Sequence, residues 1–291
     1  VSGPLDTLRA YLAARDAAEP GVAQAMRSRV LTGSGDEVVL LLHGLTASPP
    51  AWTAIAAALN ARGATVVVPR LPLHGHADRL TTALRDLSIE LLCADLRAVV
   101  TAVIALGKPI VIGGHSLGGT LAIHAAATLA GIERIVAIAP FLGISRVPHE
   151  LHPALLPIVR RLPNAFLWWD PLERDRQLPD HGYPRYPLHA LAVGIGIAEL
   201  AYADATRPPR ASAIDLVVNA RETSVDNRAV RRLAARWRAA GANIALHELS
   251  GLPPSHDIIE PGRPSSLRVR DVLVRLLCGE RNGSDTVTHV V

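Results

Sequence analysis

The chain has 291 residues, 49% of them hydrophobic, and a mean hydropathy of +0.24. That length and apolar content exclude a disordered chain and suit one large α/β domain or two small ones. The net charge is +4 and the pI 9.6, but the basic residues are almost all arginine and are scattered along the sequence; the one cluster, Arg231, Arg232, Arg236 and Arg238, has helical spacing and reads as a solvated helix face, so nucleic acid is not an expected partner.

Residues 5–29 are Ala-rich and read as mostly helical, interrupted at Pro20-Gly21. Residues 38–42 are an unbroken apolar run of strand length that stops sharply at His43-Gly44. Such runs, apolar without alternation, belong to strands buried on both faces of a parallel sheet. A helix is expected over 52–62, ending at Gly63, and a second buried strand over 65–68, ending at Pro69. A long amphipathic helix follows over 86–106, closed by Gly107. The third strand spans 110–113, a helix 117–130 closed by Gly131, and the fourth strand 135–139.

The rhythm then breaks. Residues 141–210 are rich in proline and hold most of the Trp and Tyr residues. Alternation resumes with a strand over 215–218, a helix over 227–240, a strand over 243–249 and a helix over 266–277; the residues from Glu280 read as a tail. Strands alternating with helices imply a doubly wound, mostly parallel sheet covered on both faces. An irregular segment bracketed by regular units implies a single α/β core, residues 1–140 and 211–291, with an inserted cap at 141–210. No run reaches the ~18 apolar residues needed to span a bilayer, and 190–198 is too short, so no integral membrane segment is expected. Cys93 and Cys278 fall in helical segments and read as buried free thiols, which favours a reducing, cytoplasmic setting. The chain begins at Val1, so a secreted or leader-cleaved origin stays open, as does the oligomeric state.

Gly114-His115-Ser116-Leu117-Gly118 fits G-x-S-x-G between a buried strand and a helix, the setting of a nucleophile elbow. The sharp turn exposes the serine hydroxyl at the C-terminal edge of the sheet, and the helix start behind it offers free N–H groups to an oxyanion. In the α/β-hydrolase family, which this elbow resembles, the base follows the last strand. His256, in Leu252-Pro253-Pro254-Ser255-His256-Asp257-Ile258, is the only one of twelve histidines in that slot; His247 lies inside the strand and His115 points elsewhere. His74-Gly75-His76, with only Asp78 nearby, makes a poor metal site, so neither metal nor cofactor is expected.

With these motifs the chain resembles the α/β-hydrolase family, in particular its carboxylesterase and monoacylglycerol-lipase-like branch. Leu40-Leu41-Leu42-His43-Gly44-Leu45-Thr46 is similar to that family's first-strand HG motif, and Pro69-Arg70-Leu71-Pro72-Leu73-His74-Gly75-His76 to its P-x-L-P-x-H-G stretch, although glycine is more usual where Leu73 stands. Trp168-Trp169-Asp170-Pro171 and Tyr183-Pro184-Arg185-Tyr186-Pro187 resemble cap sequences of bacterial members, and the likeness runs from Val38 to Leu277. The resemblance implies an oxyanion hole from the N–H groups of Leu45 and Leu117, with His43 holding its loop rather than acting as a base. It places the triad acid just past the strand at 215–218, where Glu222 stands; Asp226 is the alternative, but it falls where a helix N-cap belongs. The implied reaction is serine-dependent hydrolysis of a small-molecule or lipid-like ester through an acyl-enzyme on Ser116. Phe141, Leu142, Trp168 and Trp169 are candidates for contacting an apolar substrate, with a core of the cap itself as their other reading. Acyl transferases, thioesterases and serine peptidases use the same triad, and a binding protein could keep the fold without catalysis.

Overall fold

The computed structural model describes residues 3–145, 147–177, 179–280 and 285–290. Helix α1 (Pro4–Ala17) opens the chain, with proline in its first turn, where its missing N–H costs nothing. The short strand β1 (Arg29–Leu31) follows, beginning at the last residue of the segment expected to be mostly helical. Its half-buried residues lack the unbroken apolar run that marks β2 (Val38–Leu42) and β3 (Thr65–Val68), which are buried along their whole length. Helix α2 (Thr53–Ala61) joins those two, and α3 (Ile89–Ile104), N-capped by the Ser88 hydroxyl, leads to β4 (Ile110–His115). Then come α4 (Leu117–Thr128) and β5 (Arg134–Ile138).

Residues 141–210 hold more regular structure than their prolines suggest. They contain α5 (His152–Arg161), an antiparallel pair of β6 (Phe166–Trp168) and β7 (Arg185–Pro187), and the 17-residue α6 (Leu188–Asp204). Helix α6 is buried over most of its length, so it lacks the polar stripe by which a helix is recognised. Strand β8 (Ala213–Asn219), α7 (Asn227–Ala239), β9 (Ile244–Ser250) and α8 (Pro264–Leu277) complete the alternation. The expected tail instead carries β10 (Thr286–His289), which pairs parallel with β9. With alternate half-buried and exposed side chains, β10 has no apolar run to announce it.

The main sheet has the order β1-β3-β2-β4-β5-β8-β9-β10, with β1 antiparallel to β3 and the other neighbours parallel. Successive side chains of a strand face opposite sides. Accordingly Val38, Leu40 and Leu42 feed one core, shared with α1, α3, α4, α6 and α7, and Val39 and Leu41 feed the other, shared with α2 and α8. The chain moves outward from β2 to β3, then returns to the other side of β2 with β4. The carboxyl ends of β2 and β4 therefore flank a topological switch point, the usual crevice for a site in such sheets. The arginines of α7 are all engaged: Arg228 with Asp226, Arg231 with Glu248, Arg232 with Glu150, Arg236 with the Tyr202 carbonyl and Arg238 with Asp285. Both cysteines are free and half-buried. No helix among the described residues is long and apolar enough to cross a membrane.

Candidate active site

Strand β4 hands over to α4 at Ser116, which sits at φ 55° and ψ −119°. That is a strained conformation for a residue with a side chain, and the surroundings impose it. The Ser116 N–H donates to the Ile138 carbonyl at 3.0 Å, and the Ser116 carbonyl accepts from the N–H groups of Thr120 and Phe141. The flanking glycines have no substitute here. A Cβ at Gly114 would stand 2.1 Å from the Gly118 carbonyl oxygen, and one at Gly118 2.1 Å from that of Leu42. Backbone meets backbone at both points, so strand, turn and helix close up only without side chains.

The Ser116 hydroxyl donates to His256 Nε2 at 2.8 Å, and His256 Nδ1–H donates to Glu222 Oε2 at 3.0 Å. The other Glu222 oxygen accepts from the N–H groups of Thr223 at 2.9 Å, Ser224 at 2.7 Å and Val225 at 3.4 Å. Burial works against ionisation of Glu222, but the His256 bond and charge and the Ser224 and Val225 N–H groups hold its carboxyl below the usual range. Burial likewise works against a charged His256; the Glu222 hydrogen bond and charge, helped by Asp257, outweigh it and raise the imidazole above its ordinary value. Asp226 faces away from this chain of bonds. It caps α7, accepting from the Arg228 N–H at 2.9 Å, and pairs with the Arg228 guanidinium at 3.1 Å.

Leu45 and Leu117 both line the cavity that holds Ser116. Leu117 is the first residue of α4, where N–H groups have no partner within the helix. The loop after β2 runs against the nucleophile: a Cβ at Gly44 would lie 3.2 Å from Ser116 Cβ. His43 fixes that loop. It is fully buried, its Nδ1–H donates to the Gly44 carbonyl at 3.0 Å, and its Nε2 accepts from the Leu71 N–H at 3.0 Å. Burial pushes its pKa well down, as the accepting Nε2 requires. Leu73, where glycine is more usual, sits at φ 66°, a region in which glycine is unstrained. His74 and His76 are committed to local partners, the Pro72 carbonyl and Glu19.

Several residues that shape the site carry no motif. Asn219, fully buried at the end of β8, donates to the carbonyls of Pro253 at 3.0 Å and Ser255 at 2.8 Å, just ahead of His256. Its own carbonyl accepts from the Glu222 N–H, so one side chain and its backbone tie the acid's loop to the base's. His115 donates from Nε2 to the His256 carbonyl at 3.1 Å, with the two rings 5.0 Å apart. Burial drops its pKa to about 4, which keeps it neutral beside His256. From the 141–210 segment, the Trp169 indole N–H donates to the Thr46 hydroxyl at 2.9 Å, and the Tyr183 N–H to the Thr46 carbonyl at 2.8 Å. Residues far apart in sequence meet in each case, so only a signal of spatial proximity could have revealed them.

A cavity of about 500 Å³ opens on Ser116 and His256. Of the four candidate substrate contacts, Phe141 and Trp169 line it. Leu142 is instead buried in the main core, because the chain turns inward after Pro140, and Trp168 packs against the Arg185 guanidinium. Ile144, Leu191 and Val225 also line it, as do Asp257, Glu260 and Arg263. Among the described residues no group of three or more His, Cys, Asp or Glu side chains could hold a metal ion.

The model of the Alpha/beta hydrolase family matches residues 39–263. The chain is 38% identical over 97 residues to protein phosphatase methylesterase 1 of Mus musculus, covering 33% of this chain and 25% of that protein. It is 36% identical over 128 residues to a pimeloyl-[acyl-carrier protein] methyl ester esterase of Stenotrophomonas maltophilia (strain K279a), covering 43% of this chain and 45% of that protein. The chain thus spans less than half the length of these curated relatives. The solved monoacylglycerol lipase of Paleococcus ferrophilus superposes with a TM-score of 0.66 at 21% identity, over 87% of this chain and 98% of that one, a likeness of fold.

Proposed function

The chain belongs to the Alpha/beta hydrolase family, and from that premise we propose that it hydrolyses carboxylic esters with Ser116 as nucleophile, His256 as general base and Glu222 as the triad acid. The observation that carries the proposal is the bond chain Ser116–His256–Glu222, at 2.8 and 3.0 Å, on a strained elbow that lines the cavity. His256 takes the hydroxyl proton as Ser116 Oγ attacks the ester carbonyl. The tetrahedral oxyanion is held by the Leu45 and Leu117 N–H groups, each such donor being worth roughly 10²–10³ in turnover. His256 then returns the proton to the leaving alkoxide, and the acyl group stays on Ser116. A water attacks that acyl-enzyme by the same proton route and frees the acid. Glu222 fixes the tautomer with Nε2 free and offsets the charge that His256 gains.

Residues 141–210 act as a cap over a core of 1–140 and 211–291. The substrate is a small-molecule or lipid-like ester, in keeping with the apolar residues that line the cavity and with relatives named for methyl esters and a structural neighbour named for monoacylglycerol. The test is hydrolysis of a p-nitrophenyl ester series from acetyl to palmitoyl by wild type and Ser116→Ala. The expected outcome is turnover by wild type that is lost in the variant; a fully active Ser116→Ala would overturn the assignment.

A further inference from the structure

Helix α6 carries two glycines in its interior, Gly194 and Gly196, each costing about 1 kcal/mol of helix stability relative to alanine. They face different neighbours. A Cβ at Gly194 would lie 2.7 Å from both Cδ1 and Cε1 of Phe141, whereas one at Gly196 would meet Ile89 of α3. Gly194 and Phe141 both line the cavity, and neither Gly196 nor Ile89 is among its lining residues. The Phe141 ring therefore lies close against a bare stretch of helix, at the cavity wall that Ser116 shares.

Phe141 cannot retreat as a whole. Its N–H donates to the Ser116 carbonyl at 3.1 Å, and its carbonyl accepts from the Thr120 hydroxyl at 2.8 Å. These bonds fix the backbone to the elbow and leave the ring as the one part free to move. With α6 on one side, the open side is the cavity.

We propose that Gly194 and Phe141 together set the depth of the acyl pocket, and so determine which acyl chain lengths this enzyme accepts. The proposal rests on the serine-esterase reading above. A methyl group at position 194 displaces the ring into the cavity and shortens the space available to the chain. Removal of the ring at position 141 lengthens it. The discrimination expected from one misplaced methylene in an apolar pocket is about 10- to 200-fold in kcat/KM.

The experiment measures kcat/KM over the p-nitrophenyl series, acetyl to palmitoyl, for wild type, Gly194→Ala, Phe141→Ala and Gly196→Ala, with thermal melting to establish that each is folded. In Gly194→Ala the ratio of kcat/KM on the longest chain that wild type accepts to kcat/KM on acetyl should fall by about 10-fold or more. Phe141→Ala should move the optimum to longer chains, and Gly196→Ala should keep the wild-type profile. A folded Gly194→Ala with the wild-type profile would overturn the assignment, as would the same shift in Gly196→Ala. If Gly194→Ala does not fold, Phe141→Ala decides alone: a profile unchanged from wild type overturns the proposal. A wild type inactive on the whole series would instead strike at the serine-esterase reading itself.

Discussion

Glu222 and Asp226 stand four positions apart, yet the fold gives them separate tasks. Glu222 bonds His256, and its side chain is fully buried; Asp226 caps α7 and pairs with Arg228. Glu222→Gln should lower kcat by roughly 10²- to 10⁴-fold, the scale of positioned acid–base catalysis. Asp226→Asn keeps a good N-cap, so turnover should stay within about 3-fold of wild type and stability within about 1 kcal/mol. The reverse ranking in steady-state kinetics would contradict the assignment of the acid. The pH profile carries the same logic. The base must be neutral to accept the Ser116 proton, and Glu222 and Asp257 raise the His256 pKa above 6.5. Activity should therefore rise with pH through a midpoint above that value. In Glu222→Gln the opposing effect of burial dominates, and the residual activity should rise at lower pH than in wild type.

The elements that position the site differ in how openly the sequence announces them. β2, β3, β4 and β5 are buried throughout and read directly as apolar runs. Ser116 is legible because a strand and a helix flank its glycines, and His256 because it alone occupies the loop after β9. Glu222 is legible through the family resemblance, which places an acid just past β8, together with the reading of Asp226 as a cap. Edge strands β1 and β10 are short and half-exposed, so their sequences carry no comparable signal, and α6 is buried too evenly to show a helical period. Asn219 is the least legible of all, since its importance lies in what β8 brings it near. Asn219→Ala strips the carbonyls of Pro253 and Ser255 of their donor, at a cost of about 1–3 kcal/mol in stability. Loosening the loop that holds His256 should lower kcat by about 10-fold or more with a smaller change in KM, since positioning is what is lost. Equal effects on kcat and thermal stability in the cavity-remote control Gly196→Ala would deny Asn219 a positioning role.

At the scale of the whole molecule, a buried ionic group ties the N-terminal helix to the loop that supports the site. Arg70, 1% exposed, pairs with Asp16 at 3.0 Å and with Glu19 at 2.8 Å, and Glu19 also accepts from His76 at 2.8 Å. Tyr183 lines the cavity, and its hydroxyl accepts from the His76 N–H and donates to the Leu73 carbonyl, so the network reaches a residue of the cavity wall. Arg70→Met leaves buried Asp16 with only the longer cationic contact to Arg15 at 3.7 Å and should destabilise the protein by about 3–5 kcal/mol in urea unfolding; a loss below 1 kcal/mol, the surface-pair range, would show the network to be incidental. Burial alone would raise the Glu19 pKa, but His76 and Arg70 hold it below 4.5 in the folded protein. Its contribution is thus present above the ordinary carboxylate range and fades as the pH falls through that lowered value. Arg70→Met should lessen this acid sensitivity.

The acyl-enzyme on Ser116 is the central claim, and acid quenching of a p-nitrophenyl ester reaction during its first turnovers, followed by peptide mass mapping, tests it most directly. We expect a burst of p-nitrophenol and an acyl mass increment on the peptide that contains Ser116, both lost in Ser116→Ala. An increment on another residue, or turnover without any adduct that persists in Ser116→Ala, would contradict the mechanism.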